Sequence, residues 1–402
     1  MRRNQHSVHP IHYVRRENNL GRKGGNLNNW LRAYRSAASE FFIALDADMQ
    51  PLPDMVEAFL GHYHGFSKEV QESIAFIQAP QHFCNHAASH DYYDVGLKLF
   101  FKAILTVMDS VGVTMCIGTG TFWRREALLS CGGFHETFAT EDTVTGLKVH
   151  RANNRVTAGS SKQWISKFLR RPVAVGISPQ NLPELFDQRL RWVLGSIETT
   201  TEHDWFFFAA GLSLQQKVVY WTATAYWLNA LLVFLLQVIG TVSTFIYIGS
   251  GSVAWDTVSV WSIVVSMVSG ASLYMAILPV ATIEEKLVGL QMFLSYAPVY
   301  VCCLLKHRFG IPFRVQETAA EGDSRKRCWH WLFWWHILVL AAVCLGATIS
   351  FYFGDRTVKS FFALTTQVLL WVVYYFPVYL SVIGGIQVDN IVHWYNESDI
   401  HL

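Results

Sequence analysis

No charged residue lies between Lys217 and Asp256. The apolar core of that stretch, Val218 to Ile248, is longer than the roughly 20 helical residues that cross the hydrocarbon of a bilayer. Further charge-free runs extend between Asp256 and Glu284, from Leu287 to Leu305, from Cys328 to Gly354 and from Ser360 to Val388. Soluble cores rarely use so many runs of this size. Tyr220, Trp221, Trp227, Trp255, Trp261, Trp329, Trp331 and Trp394 crowd the boundaries, as amphipathic rings do at the membrane–water interface. The sequence thus predicts spanning helices over 218–248, 257–281, 329–353 and 361–386. The 287–305 run is different. It holds Gly289, Gln291, Ser295 and Pro298 and ends in Lys306-His307-Arg308, which predicts an amphipathic helix in the interface, part of a segment over 284–320. Four crossings leave the N-terminal half, that segment and the tail 389–402 on one side. Lys286, Lys306, Arg308, Arg314, Arg325, Lys326 and Arg327 mark that side as cytoplasmic. The chain reads as a cytoplasmic domain over 1–204 and a membrane domain over 205–388.

Most of the charge falls in the first of these domains. The net charge of the 402 residues is only +2, which argues against a nucleic-acid partner, since a phosphate-binding surface needs a strong basic excess. The seven cysteines form no Cys-x-x-Cys pair and read as reduced thiols, with neither a zinc cluster nor a disulfide framework. Met1 to Tyr13 is polar, so no apolar signal segment opens the chain and targeting information is internal or missing. The order of elements is α/β. A strand is expected over 11–15, a Gly-rich loop over 21–25 and a helix over 26–39. The continuous apolar run Phe41 to Leu45 predicts a strand covered on both faces. Next come a helix reaching Tyr63 with Asp54 as its cap, a strand over 73–78, a helix over 91–109, strand and turn over 112–120, and helices from Arg124 and from Val144. Arg124, Arg125 and Lys148 read as surface or helix residues.

The chemistry-bearing residues sit at the joints of this pattern. Asp46-Ala47-Asp48 delivers two carboxylates to the C-terminal end of the 41–45 strand. In an ideal strand they would diverge, so the turn at 49–51 must bring them together. Oxygen ligands of this kind favour Mg²⁺ or Mn²⁺ over zinc, with Asp48, nearer the turn, as the ligand. A lone Asp-x-Asp is more often a turn or cap. Glu141-Asp142 begins a helix, where Asp is a common cap; a like charge beside it raises a carboxyl pKa and suits Asp142 to act as a base. Gln188, Arg191 and Trp192 share one helical face by their spacing. Arg191 offers a rigid fork for a diphosphate and Trp192 a flat plate for a sugar ring. The competing reading pairs Arg191 with Asp187 and buries Trp192. Lys23 in its Gly-rich surroundings suggests a phosphate cradle, and Gly118-Thr119-Gly120 is a turn that a ligand can approach closely.

Taken together, Lys23-Gly24-Gly25-Asn26-Leu27-Asn28, Asp46-Ala47-Asp48, Gln78-Ala79-Pro80-Gln81-His82-Phe83, Gly118-Thr119-Gly120, Thr140-Glu141-Asp142 and Gln188-Arg189-Leu190-Arg191-Trp192 resemble the motifs of the processive family 2 glycosyltransferases, most closely the cellulose synthases. The resemblance runs from about residue 10 to 388. It implies a partial GT-A (Rossmann-like) catalytic domain, lacking the first strands that contact the nucleotide, so that the natural protein is expected to begin before Met1. It implies that Asp48 holds Mg²⁺ or Mn²⁺; that Lys23, Asp46, Gln188 and Arg191 bind the donor UDP-glucose; that Asp142 is the base; and that Gly118, Thr119, Glu141 and Trp192 line the acceptor, a growing β-glucan. Membrane lipid and further copies or a synthase complex are the other partners implied, and a plasma membrane the location. Phe313-Arg314-Val315-Gln316 is similar to the family's gating loop, with Gln where the family has Thr. Rival expectations are a synthase of another β-glycan (β-1,3 or mixed-linkage glucan, hyaluronan-type), a non-processive transferase, and an inactive membrane partner subunit.

Overall fold

The computed structural model of the chain describes residues 12–34, 39–84, 100–157, 160–177, 179, 182–201, 210–224, 226–250, 291, 293–309, 333–354 and 356–375. The predicted span over 257–281, the Phe313–Gln316 loop, the part of the 91–109 helix before residue 100 and the end of the 361–386 span lie outside the described residues. The N-terminal half is mixed α/β and GT-A-like. A four-stranded sheet has the order β1-β5-β3-β8, with β1 at Phe41–Ala44, β3 at Ile74–Gln78, β5 at Thr121–Arg124 and β8 at Ile165–Phe168. β5 runs antiparallel to both neighbours and β3 runs parallel to β8. A smaller sheet joins β2 (Gln50–Pro51), β9 (Ala174–Gly176) and β4 (His82–Phe83), and β6 (Asn153–Thr157) pairs with β7 (Ser160–Gln163). β1 is sandwiched as its apolar run predicts. Phe41 and Ile43 pack with Phe59, Ile77 and Phe122, while Phe42 and Ala44 pack with Leu31, Phe76 and Trp123. Its partner β5 is antiparallel, however, and β1 is the edge strand among the described residues.

Several local expectations change. No strand forms over 12–16, and 112–120 is an irregular segment ahead of β5. The residues read as a Gly-rich loop belong to α1 (Arg22–Ala33), which starts after Gly21. Gly24 is consumed by packing: a side chain there would run into the His135 carbonyl. Asp54 precedes α2 (Met55–His64) without a side-chain capping bond and pairs instead with Arg171. Arg124 is not a surface residue. It is 7% exposed, donates from Nε to the Ile74 carbonyl at 2.9 Å and from Nη2 to the Gln71 carbonyl at 2.8 Å and the Tyr63 hydroxyl at 2.9 Å, and pairs with Glu40. Its guanidinium lies 4.7 Å from the Phe41 ring centroid. One side chain thereby ties β5 to β3 and to the approach to β1. Because truncation strands buried carbonyls, Arg124→Met is expected to cost about 3 kcal/mol. The check is the thermal unfolding midpoint of the solubilised chain, with Arg124→Lys, which keeps the charge but loses the fork, recovering only part.

The N-terminal α/β layer is bound to the C-terminal helices through two elements. α6 (Glu141–Arg151), which follows α3 (Lys68–Ser73), α4 (Leu105–Ser110, entered through a π-helical turn at Phe100–Ile104) and α5 (Arg125–Ser130), ends near the enclosed His150. That imidazole meets the Tyr220 hydroxyl at 2.5 Å and the Ser166 hydroxyl at 2.9 Å, and burial pushes its pKa down to about 3, so it stays neutral. Tyr220 belongs to α8 (Leu214–Thr224), which precedes α9 (Tyr226–Gly249). The apolar run 218–248 is therefore divided between two helices, the first of which packs on the N-terminal α/β half. The second connection is α7 (Leu182–Thr201), whose Leu185, Phe186, Leu190, Val193, Leu194 and Ile197 join one core with residues of α9, α10 (Ala297–Phe309), α11 (Phe333–Phe353) and α12 (Val358–Tyr374). Two stretches among the described residues, Ala230–Gly249 and Trp334–Phe353, are long and apolar enough to cross a bilayer. Leu232, Leu235, Ile239, Val242 and Ile246 of α9 and Leu338, Leu345 and Ile349 of α11 are exposed, which suits surfaces covered by lipid. Between α9 and α12 the contact is polar: Gln367 and Thr241 are 3.0 Å apart, and the Trp371 indole N–H donates to the Thr241 hydroxyl at 3.0 Å.

Candidate active site

Three segments distant in sequence converge on one turn, Ile117–Thr121. Lys23, in the first turn of α1, donates from Nζ to the Gly118 carbonyl at 3.0 Å and pairs with the Asp46 carboxylate. The Asp46 backbone N–H donates to the Thr119 hydroxyl at 3.1 Å. Asp142, in the first turn of α6, lies against the same turn, beside Lys23. A Cβ built on Gly118 would stand 2.6 Å from Asp142 Oδ2 and 2.9 Å from Lys23 Nζ. Gly118 also has a φ of 84°, a conformation that side chains disfavour, so glycine meets both demands at this position. The fold thus brings Lys23, Asp46, Gly118 and Asp142 together. Thr119, expected along the acceptor, is 1% exposed, with its hydroxyl taken by Asp46; it ties the turn to the Asp46 strand. The Asp46 carbonyl accepts from the Met49 N–H at 3.1 Å. This closes a turn over 46–49, earlier than the 49–51 expected, and leaves Asp48 exposed while Asp46 faces Lys23.

Charge in the cluster is balanced by burial and by its own pairs. Burial works against the charge on Lys23, but Asp46 and then Asp142 more than offset it, and its pKa rises. Burial raises the Asp142 pKa and Asp46 adds to the rise, against the opposing pull of Lys23 and of the Thr143 N–H, which donates to Oδ1 at 2.7 Å. Like charge adds to the rise from both sides: Asp46 acts on Asp142, and the adjacent Glu141 and Asp142 repel each other. Glu141 is itself raised, by burial first and by Asp142 second. The Lys23 ammonium is an organiser of acids here, since its bonds go to Asp46 and Gly118.

The segment leading into Asp142 is held by α7. Gly195 of α7 packs so closely on Thr140 that an added Cβ would stand 2.7 Å from the Thr140 Cβ, and the Ala139 N–H donates to Glu198 at 2.8 Å. One to two turns earlier on the same helix stand Gln188, Arg191 and Trp192. Arg191 is partly exposed and makes no ion pair among the described residues, so the pairing with Asp187 is not formed. Trp192, partly buried, lies at the margin of the core that joins the catalytic domain to α8. Its ring is covered by Arg189, 4.0 Å from the centroid, which also donates to Gln188 Oε1 at 3.0 Å. Arg189 is 4% exposed. Sequence reasoning left it out because the spacing of Gln188, Arg191 and Trp192 drew attention to the other face.

The sequence profile of the family described as "Glycosyl transferase family group 2" matches residues 41–305. The chain belongs to this family. Among curated proteins, this group 2 glycosyltransferase is 29% identical over 197 residues to a UDP-forming cellulose synthase catalytic subunit of Dictyostelium discoideum, covering 49% of the chain and 17% of that protein. It is 24% identical over 383 residues to the putative cellulose synthase 2 of Komagataeibacter xylinus, covering 90% of the chain and 23% of that protein. With the UDP-forming cellulose synthase 1 catalytic subunit of the same bacterium it shares 29% over 217 residues, 52% of the chain and 27% of that protein. The chain thus spans well under half the length of each of these relatives. The match establishes a family 2 glycosyltransferase domain homologous to cellulose synthase catalytic subunits.

In this group 2 glycosyltransferase, the residue suited to a divalent cation is Asp48. Its carboxylate is exposed and makes no bond among the described residues. No group of three or more His, Cys, Asp or Glu side chains converges among the described residues, so they offer no all-protein cage. A single free carboxylate fits Mg²⁺ or Mn²⁺, which keep waters and take further oxygens from substrate phosphates.

Proposed function

We propose that the chain is the catalytic part of a processive, inverting hexosyltransferase that adds glucose from UDP-glucose to a β-1,4-glucan and extrudes the product through the membrane. The observation that carries this reading is the convergence of Lys23, Asp46 and Asp142 on the Gly118 turn, in a chain whose following helices are long enough to span a bilayer. The names of the relatives support UDP-linked synthesis of cellulose. In the proposed reaction the Asp142 carboxylate accepts the proton of the glucan 4-hydroxyl. The freed oxygen forms a bond to C1 of the donor glucose, and the bond from C1 to the diphosphate oxygen breaks, with its electron pair leaving on UDP. Attack opposite the leaving group inverts C1 and gives a β-linkage. Gln188 and Arg191 hold the diphosphate, Trp192 offers its ring to the acceptor, and Asp46 with Lys23 faces the donor sugar. Asp48 would hold Mg²⁺ or Mn²⁺, which when bound offsets the charge growing on the diphosphate. The catalytic domain faces the cytoplasm of a plasma membrane, in keeping with the basic residues around Lys306 and Arg308.

The test is incubation of membranes carrying the chain with radiolabelled UDP-glucose and Mg²⁺. Polymer digested by an endo-β-1,4-glucanase supports the proposal. UDP release without polymer, or polymer cut only by β-1,3-glucanase, overturns it. The raised Asp142 pKa also predicts the pH profile. Only the ionised carboxylate accepts a proton, so the transfer rate falls as pH is lowered through a point above the ordinary value of an aspartate. An acidic limb at or below pH 4, about the value of an unperturbed Asp, would contradict this.

A further inference from the structure

Gln78 ends β3 and is fully enclosed. Its side-chain amide is the centre of the Ile117–Thr121 turn. Nε2 donates to the carbonyls of Thr119 at 2.7 Å, Ala79 at 2.8 Å and Gly120 at 3.2 Å, and Oε1 accepts from the Ile117 N–H at 3.0 Å and the Thr121 hydroxyl at 2.7 Å. A primary amide carries two N–H groups and two acceptor lone pairs, and here every one of them is used. Burying an amide is costly unless all its bonds are made, so a strand end that needed only filling would be served at lower cost by an apolar side chain. The bonds go to both limbs of one turn. That turn presents the Gly118 carbonyl to Lys23, presents the Thr119 hydroxyl to Asp46, and stands against Asp142.

We infer that Gln78 is a positioning residue for the transfer reaction: it sets the height of the Ile117–Thr121 turn and thereby the separation between the donor-facing acid Asp46 and the base Asp142. The inference rests on the glycosyl-transfer reading above. A base works only within hydrogen-bond reach of the hydroxyl it activates. Water reorients freely and tolerates a displaced base, whereas a hydroxyl fixed on a sugar ring does not. Loss of the amide should therefore harm transfer to glucan more than hydrolysis of UDP-glucose, and the ratio of the two does not depend on how much enzyme is folded.

The experiment uses the full chain in membranes and compares wild type with Gln78→Met, which keeps the length of the side chain and removes its polar atoms. Thr121→Val, which removes one of the bonds, is the second variant. Transfer to polymer and release of free glucose are measured in the same tube. The transfer-to-hydrolysis ratio is expected to fall about tenfold or more in Gln78→Met, since displacements near 1 Å cost up to about a hundredfold, and to take an intermediate value in Thr121→Val. An unchanged ratio, whether both activities fall together or neither falls, overturns the assignment and leaves the proposed function standing. If Gln78→Met does not accumulate, the ratio in Thr121→Val decides in the same way. A wild-type chain that releases no UDP overturns the glycosyl-transfer reading and this assignment with it.

Discussion

Asp142→Asn is expected to reduce transfer by about 10²- to 10⁴-fold, the range that a positioned general base contributes, while UDP binding is retained. The substitution keeps the shape of the side chain and an oxygen for the Thr143 N–H, and Lys23 keeps its pairing with Asp46. What is lost is the acceptor for the proton. The stability of the variant separates this cause from misfolding. Burial raises the Asp142 pKa, so the folded state binds this proton more tightly than the unfolded chain does. Its contribution to stability is fully present at low pH and is lost as pH rises through the folded value. At neutral pH and above, the ionised aspartate is thus a destabilising group, and a neutral asparagine should leave the thermal midpoint equal or higher. Radiolabelled transfer, UDP titration and thermal unfolding on the same preparation check the three parts. Loss of UDP binding together with transfer would remove Asp142 from the role of base.

Gly118→Ala is expected to lower transfer by about a hundredfold, the scale of a 1 Å misplacement at a reacting centre. Two effects add. The left-handed backbone costs a residue with a Cβ about 1–2 kcal/mol, and the new methyl would lie 2.6 Å from Asp142 Oδ2 and 2.9 Å from Lys23 Nζ. Neither neighbour gives way easily, since Asp142 is held by the Thr143 N–H and Lys23 by Asp46 and the Gly118 carbonyl. Gly120 supplies the control. It has a φ of 60°, and a Cβ there would meet nothing closer than 3.8 Å. Gly120→Ala therefore carries the backbone cost without the clash. The difference in transfer rate between the two variants measures the contact of the turn with Asp142; equal rates would show that the turn does not hold the base.

Residues whose environment is set by near neighbours were legible in the chain. Phe41–Ala44 is apolar at every position because both its faces are covered, and such a run can be read directly. The helix carrying Asp142 and the charge-free stretches of α9 and α11 are legible for the same reason. Long-range partners leave no such trace. Arg124 looked like an exposed charge because nothing near it in sequence announces Glu40, Ile74 and Gln71. β8 and β9 went unnoticed because Ile165–Phe168 and Ala174–Gly176 are short and carry polar or small residues. The Gly-rich stretch after Lys23 suggested a phosphate loop, whereas close packing of α1 against His135 is what the glycine serves.

The order of motifs along the chain determined the family, the acids to examine and the presence of apolar helices, because strand ends, helix starts and membrane spans are written in local composition. Only the tertiary structure decided which of those acids meet. Lys23 and Gly118 stand 95 residues apart, and the bond between them depends on how α1, β3 and β5 stack, with Gln78 holding the turn between them. Side chains that satisfy each other across such a distance are chosen by packing geometry, and one dimension of sequence does not carry that geometry.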